Sequence, residues 1–367
     1  MKASREGARG RTPEGRAAEG TAEEGGSAGR RAEAAGRSVP TSPSKPAATG
    51  RPDGASTRGR DRLREAYRNA LRSAVLDERL AEWSARGLIG FQLPPLEWGG
   101  LLAAAAAALE PGDWLFPGLR EARVALWRGM ALEDFLAQAL GVAPATGTLL
   151  PTMPGYICDA AHRVASVAGG VAAQLPHAVG AAFAARHRRE SDVALTICGS
   201  AAIDSPDFHV ACNFAGVWRA PVIFLVRREG EGLFASAAER GAAYGIAAAT
   251  ASAAEPRALL AVLDEALARA RKGAGATLIE VVAPTDAAAA VEALRRAQDG
   301  AGGSAHEEAK LRGEALAWCE AAFEAARAGK RPGLAALTAH VYAADERHLA
   351  AQLDDLVVAP TAIPDDV

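Results

Sequence analysis

Three short apolar runs, VALTIC (193–198), PVIFLV (221–226) and TLIEVV (277–282), constrain this chain more than any other feature of it. Their apolar residues are nearly continuous rather than alternating, which marks strands covered on both faces, and two of the three are rich in β-branched residues. Helical stretches separate them, Asp207 to Trp218 and Pro256 to Lys272. Strand, helix, strand order closes a parallel sheet through crossovers of one hand. The expected class is therefore α/β, a doubly wound and mostly parallel sheet flanked by helices, with a small helical region at the carboxyl end.

Around this centre the chain changes character. Residues 1–60 carry 12 Lys and Arg against 7 Asp and Glu and almost no large apolar side chain, so a disordered Arg/Gly/Ala-rich tail is expected there. Glutamates interspersed in that tail argue against a nucleic-acid partner. From Asp61, "DRLREAYRNALRSAVLDERLAEWSARG" sets Leu63, Tyr67, Leu71, Val75, Leu76 and Leu80 at helical spacing, with Gly87 as the stop. "GGLLAAAAAAL" promises a small-residue helix able to lie close against a sheet. The α/β domain is expected over 61–300, and "AGGSAHEEAK" reads as the linker into a helical region and tail over 301–367. No apolar run approaches the ~20 residues needed to cross a bilayer, and no apolar segment follows the amino terminus, so a cytoplasmic protein without a membrane partner is expected. Four widely spaced cysteines without a CxxC pair point to reduced thiols rather than a metal or disulfide framework.

The chemistry concentrates where the first two strands end. "CGSAA" turns from strand to helix and would aim backbone N–H groups at an anion on the carboxyl edge of the sheet. The next strand closes in "VRREG", and the 26 residues between Ala201 and Arg228 suit one crossover helix and a strand. Both turns should then face one crevice.

Four blocks, "EPGDWLFPGLREARVALWRGMALEDFLAQALG", "AAQLPHAVGAAFAAR", "DFHVACNFAGVWRAPVIFL" and "ERGAAYGI", follow one another here in an order that resembles a known family. It is the alpha subunit of the thiamine-diphosphate-dependent dehydrogenase component of 2-oxo acid dehydrogenase complexes, of the branched-chain or pyruvate type. The resemblance implies the thiamine-diphosphate-binding fold, with thiamine diphosphate and magnesium as cofactors. It places Arg120 and Arg227 on the diphosphate and Val171, Gly199, Ser200, Ala201 and Arg228 along the cofactor. The motif itself is degenerate. Its aspartate falls on Ser200, its second glycine on Ala201, and its paired asparagines on Arg228 and Glu229, leaving Glu229 as the candidate metal ligand. Tyr156, in "MPGYIC", replaces the loop histidine, and "APTDAAAA" replaces a second histidine-bearing loop. No catalytic residue is carried over.

Simpler roles stand beside these. Arg120 and Arg227 would serve equally as salt-bridging arginines, Ser200 as a helix cap, Asp204 and Asp207 as acids stabilising a helix dipole, and His209 as a structural histidine. The resemblance also implies partners: a beta subunit in a heterotetramer, or a second copy in a homodimer, with the lipoyl acyltransferase beyond. Two functions follow, a degenerate structural or regulatory subunit and an active dehydrogenase subunit with a non-standard metal site.

Overall fold

A five-stranded, wholly parallel sheet in the order β1-β2-β3-β5-β4 organises the chain, seen in a computed structural model that describes residues 57–90, 98–144, 153–228, 236–282, 287–298, 305–338, 341–342 and 346–358. The elements run α1 (Thr57–Ala85), α2 (Gly99–Ala108), β1 (Trp114–Phe116), α3 (Val124–Arg128), α4 (Leu132–Leu140), α5 (Gln174–His187), β2 (Ala194–Gly199), α6 (Pro206–Trp218), β3 (Val222–Arg228), α7 (Ala237–Ala243), β4 (Ala247–Ser252), α8 (Pro256–Arg271), β5 (Thr277–Val282), α9 (Ala287–Ala297), α10 (Ala305–Arg327) and α11 (Arg347–Val358). All of them lie in one compact unit, Pro43–Val367. None of the described helices is long and apolar enough to cross a membrane.

Pleat alternation divides the core in two. Leu195, Ile197, Ile223, Leu225, Ile279 and Val281 face the layer built by α1, α2, α8 and α10. Ala194, Cys198, Val222, Phe224, Val226 and Leu278 face α5 and α6. Helices therefore cover both faces, as the continuous apolar runs require. The three expected strands are β2, β3 and β5, displaced by no more than two residues, and α6 and α8 are the expected crossovers.

The remaining elements show where pattern gives way to context. β1 has three residues and β4 reads AAATAS, so neither carries an apolar run or alternation to announce it. All six marked positions of α1 are buried, and Gly87 ends it at φ +69°, with Leu88 N bonding back to the Trp83 carbonyl at 2.8 Å. α2 is apolar all round and buried, but it packs chiefly against α1, α8 and α9 rather than against the sheet. A methyl group added to Gly99 or Gly100 would lie 3.2 Å from Ser73 or Leu294, and that close approach is what the small residues permit. The expected linker is also shorter than read: Ala305–Lys310 already forms the first turns of α10, with Glu307 and Glu308 at its amino end. α10 then lays Phe323 against Trp83 of α1, ring centroids 4.2 Å apart, inside the first core layer.

Candidate functional site

The carboxyl ends of β1, β2 and β3 stand side by side, and Gly199 pairs in register with Arg227. The two turns singled out by spacing thus open on the same edge. Gly199 is the last residue of β2, Ser200 and Ala201 begin a 3-10 turn that runs to Asp204, and Arg227 and Arg228 close β3. Arg120 lies exposed in the turn Leu119–Glu121 that follows β1. The strand beginning Trp114 brings that turn to the edge because β1 pairs with β2. Val171 sits in the approach to α5 and is 66% exposed. Glu229 lies outside the described residues.

Consecutive side chains of a strand leave opposite faces, and the two arginines of β3 obey that rule. Arg227 is buried on the α2 side, where its Nη2 is 2.6 Å from Glu121 Oε1 and its guanidinium stacks 5.3 Å from the centre of the Trp98 ring. Gly199 lets it pass: a methyl group on that glycine would be 3.3 Å from Nη2. Arg228 emerges on the other face, half-buried, with Nη1 3.8 Å from Glu280 Oε1. Glu280, itself buried, accepts hydrogen bonds from Ser236 Oγ and, at 3.3 Å, from the backbone N–H of Ala238 at the start of α7. Burial pushes the Glu121 carboxyl up from the ordinary carboxylate range, against the opposing pull of Arg227.

A third pair completes the edge. Asp204 lies just before the Ser205 cap of α6, outside its first turn, and meets Arg240 of α7 at 2.7 Å, while Arg240 also donates to the Ile203 carbonyl at 3.1 Å. Capping of α6 belongs to Ser205, whose Oγ accepts from Phe208 N at 3.2 Å, whereas Ser200 is the first residue of the preceding 3-10 turn, whose N-cap is Gly199. Asp207 does lie in the first turn of α6. His209 is exposed and shares a 2.8 Å hydrogen bond with Tyr244 Oη, joining α6 to the end of α7.

Tyr156 approaches the edge from the loop before α5. Gly118, just after β1, bridges to Ala168, and next to that bridge the Tyr156 hydroxyl rests against the α-carbon of Gly169, where a methyl group would be only 2.4 Å away. Gln138 donates to the Tyr156 carbonyl at 3.2 Å. These contacts hold Tyr156 beside the turn that follows β1. Sequence reasoning missed Glu121, Glu280 and Arg240; the adjacency of Glu121 to Arg120 in "LREA" was its one visible signal.

These side chains do not fit a magnesium ion. The cation wants near-octahedral oxygen ligation, yet Ser200 offers only a neutral hydroxyl and Arg228 a fixed positive charge. Each described carboxylate named at this edge, Glu121, Glu280 and Asp204, is already held by an arginine. Among the described residues there is no group of three or more His, Cys, Asp or Glu side chains placed to hold a metal.

Comparison with known proteins agrees with the motif order. Residues 67–283 match the family described as the dehydrogenase E1 component. The 2-oxoisovalerate dehydrogenase subunit alpha of Bacillus subtilis is 29% identical over 226 residues, which cover 59% of this chain and 68% of that protein. The mitochondrial 2-oxoisovalerate dehydrogenase subunit alpha of Caenorhabditis elegans is 31% identical over 182 residues, 49% of this chain but only 42% of that protein. The chain therefore spans less than half the length of some relatives that it matches. Among solved structures, transketolase from Campylobacter jejuni aligns over 73% of this chain and 48% of its own at 15% identity and a TM-score of 0.46.

Proposed function

The chain belongs to the dehydrogenase E1 component family, and on that premise we propose that it is a degenerate alpha-type subunit, a structural or regulatory partner rather than a 2-oxo acid decarboxylase. The observation that carries this reading is the edge itself: its carboxylates are committed to arginines, and Tyr156 stands where the resemblance puts a histidine. A phenol is a much weaker acid than an imidazolium and so a poorer proton carrier than the histidine it replaces. Thiamine diphosphate is the cofactor of the family, and the arginines at the strand ends suit its diphosphate better than its metal.

A beta-type subunit is the proposed partner, in a heterotetramer. Support comes from α6, where Val210, Phe214 and Val217 form an exposed stripe at positions i, i+4 and i+7, with Val217 70% exposed. Trp218 lies tilted against both Phe183 and Phe214, ring centroids 4.5 Å from each, and extends that apolar surface towards α5. The protein is proposed to be cytoplasmic, in keeping with the free, buried thiols of Cys198, Cys212 and Cys319. The alternative, an active subunit with a non-standard site, draws on the retention of Arg120 and Arg227 at the edge.

The test is co-expression with a beta-type subunit, followed by assay of 2-oxoisovalerate- and pyruvate-dependent reduction of an artificial electron acceptor in the presence of thiamine diphosphate and magnesium. A stable complex without turnover is expected. Turnover that depends on both subunits would replace this reading with the alternative.

A further inference from the structure

Resting on the reading of the crevice as an anion site, we infer that it binds a diphosphate-class ligand without a divalent cation, the guanidinium group of Arg228 standing in for part of the metal's charge. Arg227 and Arg228 lie on consecutive residues at the end of β3 and leave its opposite faces, so Arg227 stays buried against Glu121 while Arg228 opens at the sheet edge. Gly199, paired with Arg227 on the neighbouring strand, presents no side chain between that guanidinium and the turn at Ser200. Arg228 is the available guanidinium: its side chain is 36% exposed, and its 3.8 Å separation from Glu280 lies at the outer limit of an ion pair. Glu280 meanwhile has closer partners in Ser236 Oγ and Ala238 N, so it stays satisfied if Arg228 swings to an incoming oxyanion. Planar guanidinium groups bind phosphate oxygens in pairs, which gives the geometry a point-charge cation does not.

A dication meets the reverse situation. The oxygens of Glu121 and Asp204 are the ones that Arg227 and Arg240 hold, and exchanging either arginine for the ion would leave a guanidinium without its counterion. An incoming diphosphate needs no such exchange at Arg228.

Both strand ends belong to this chain, so the experiment uses the full chain with inorganic pyrophosphate as the probe, titrated calorimetrically in EDTA and again in millimolar magnesium. Binding in EDTA is expected, with no tightening by magnesium, and Arg228→Gln should weaken the EDTA affinity about tenfold, the loss of one charge-assisted contact. Circular dichroism of the half-exposed variant checks that it folds. Tightening by magnesium of about tenfold or more would overturn the metal-free inference and leave the anion crevice standing. An unchanged affinity in folded Arg228→Gln would also overturn it. No pyrophosphate binding in either buffer would overturn both the inference and the reading on which it rests. Ser200→Asp with Arg228→Asn supplies a second arm: the pair should convert binding to a magnesium-dependent form, and continued indifference to the metal would count against the assigned positions.

Discussion

Arg227 and Glu121 are a buried ion pair whose two members depend on each other unequally. Arginine keeps its charge at any workable pH, whereas Glu121, already pushed up by burial, can escape an uncompensated charge by taking a proton. Replacing Arg227 by methionine should therefore cost about 3–5 kcal/mol near pH 8. A carboxyl whose folded-state pKa is raised favours the folded chain below that value and loses the benefit as pH rises through it. Part of that penalty should therefore be relieved as the pH is lowered towards 5, measured by urea unfolding at both values. An equal penalty at the two pH values would mean that Glu121 is not the counterion left behind. Of these residues the sequence made Arg227 and Arg120 legible, through their place at strand ends in "VRREG" and "LREA". It did not reveal that Arg227 turns inward to Glu121 and Trp98, because that depends on which side of the strand position 227 falls.

At the scale of elements, local rules carried a long way and then stopped at register and partnership. Continuous apolar runs identified β2, β3 and β5, while β1 and β4 are set by pairing with neighbours and not by their own composition. The capping of α6 illustrates the same limit. Two serines precede it, and only the fold distinguishes Ser205, bonded to Phe208 N, from Ser200 in the turn before. Ser205→Ala should lower stability by about 1 kcal/mol, the usual loss for a helix cap, and Ser200→Ala should change it by well under half of that. Chemical denaturation of the two variants side by side checks the assignment; a larger effect from Ser200 would reverse it. Asp113 is another element-scale feature that the pattern concealed. Buried at the entry to β1, its carboxylate receives Arg271 at 2.6 and 2.9 Å, Val193 N at 2.9 Å and Glu110 N at 2.8 Å, and so ties β1, β2 and the end of α8 together.

For the whole molecule, the first core layer joins regions far apart in sequence. Removal of the residues from 305 onward would strip α10 from α1 and uncover Trp83, Leu80 and Leu76, so the shortened chain should unfold or aggregate and not survive as an α/β domain. Limited proteolysis and the calorimetric transition of the truncated protein test this, and an intact cooperative transition would count against it. The stacking of Trp83 on Phe323 also has a consequence in time. On the ribosome, α1 is finished roughly 240 residues before the ring that covers it, an interval of ~10–50 s at ordinary rates of synthesis. Throughout that delay the face of α1 that α10 will cover stands open, so newborn chains would depend on chaperones to shelter it until the last long helix arrives.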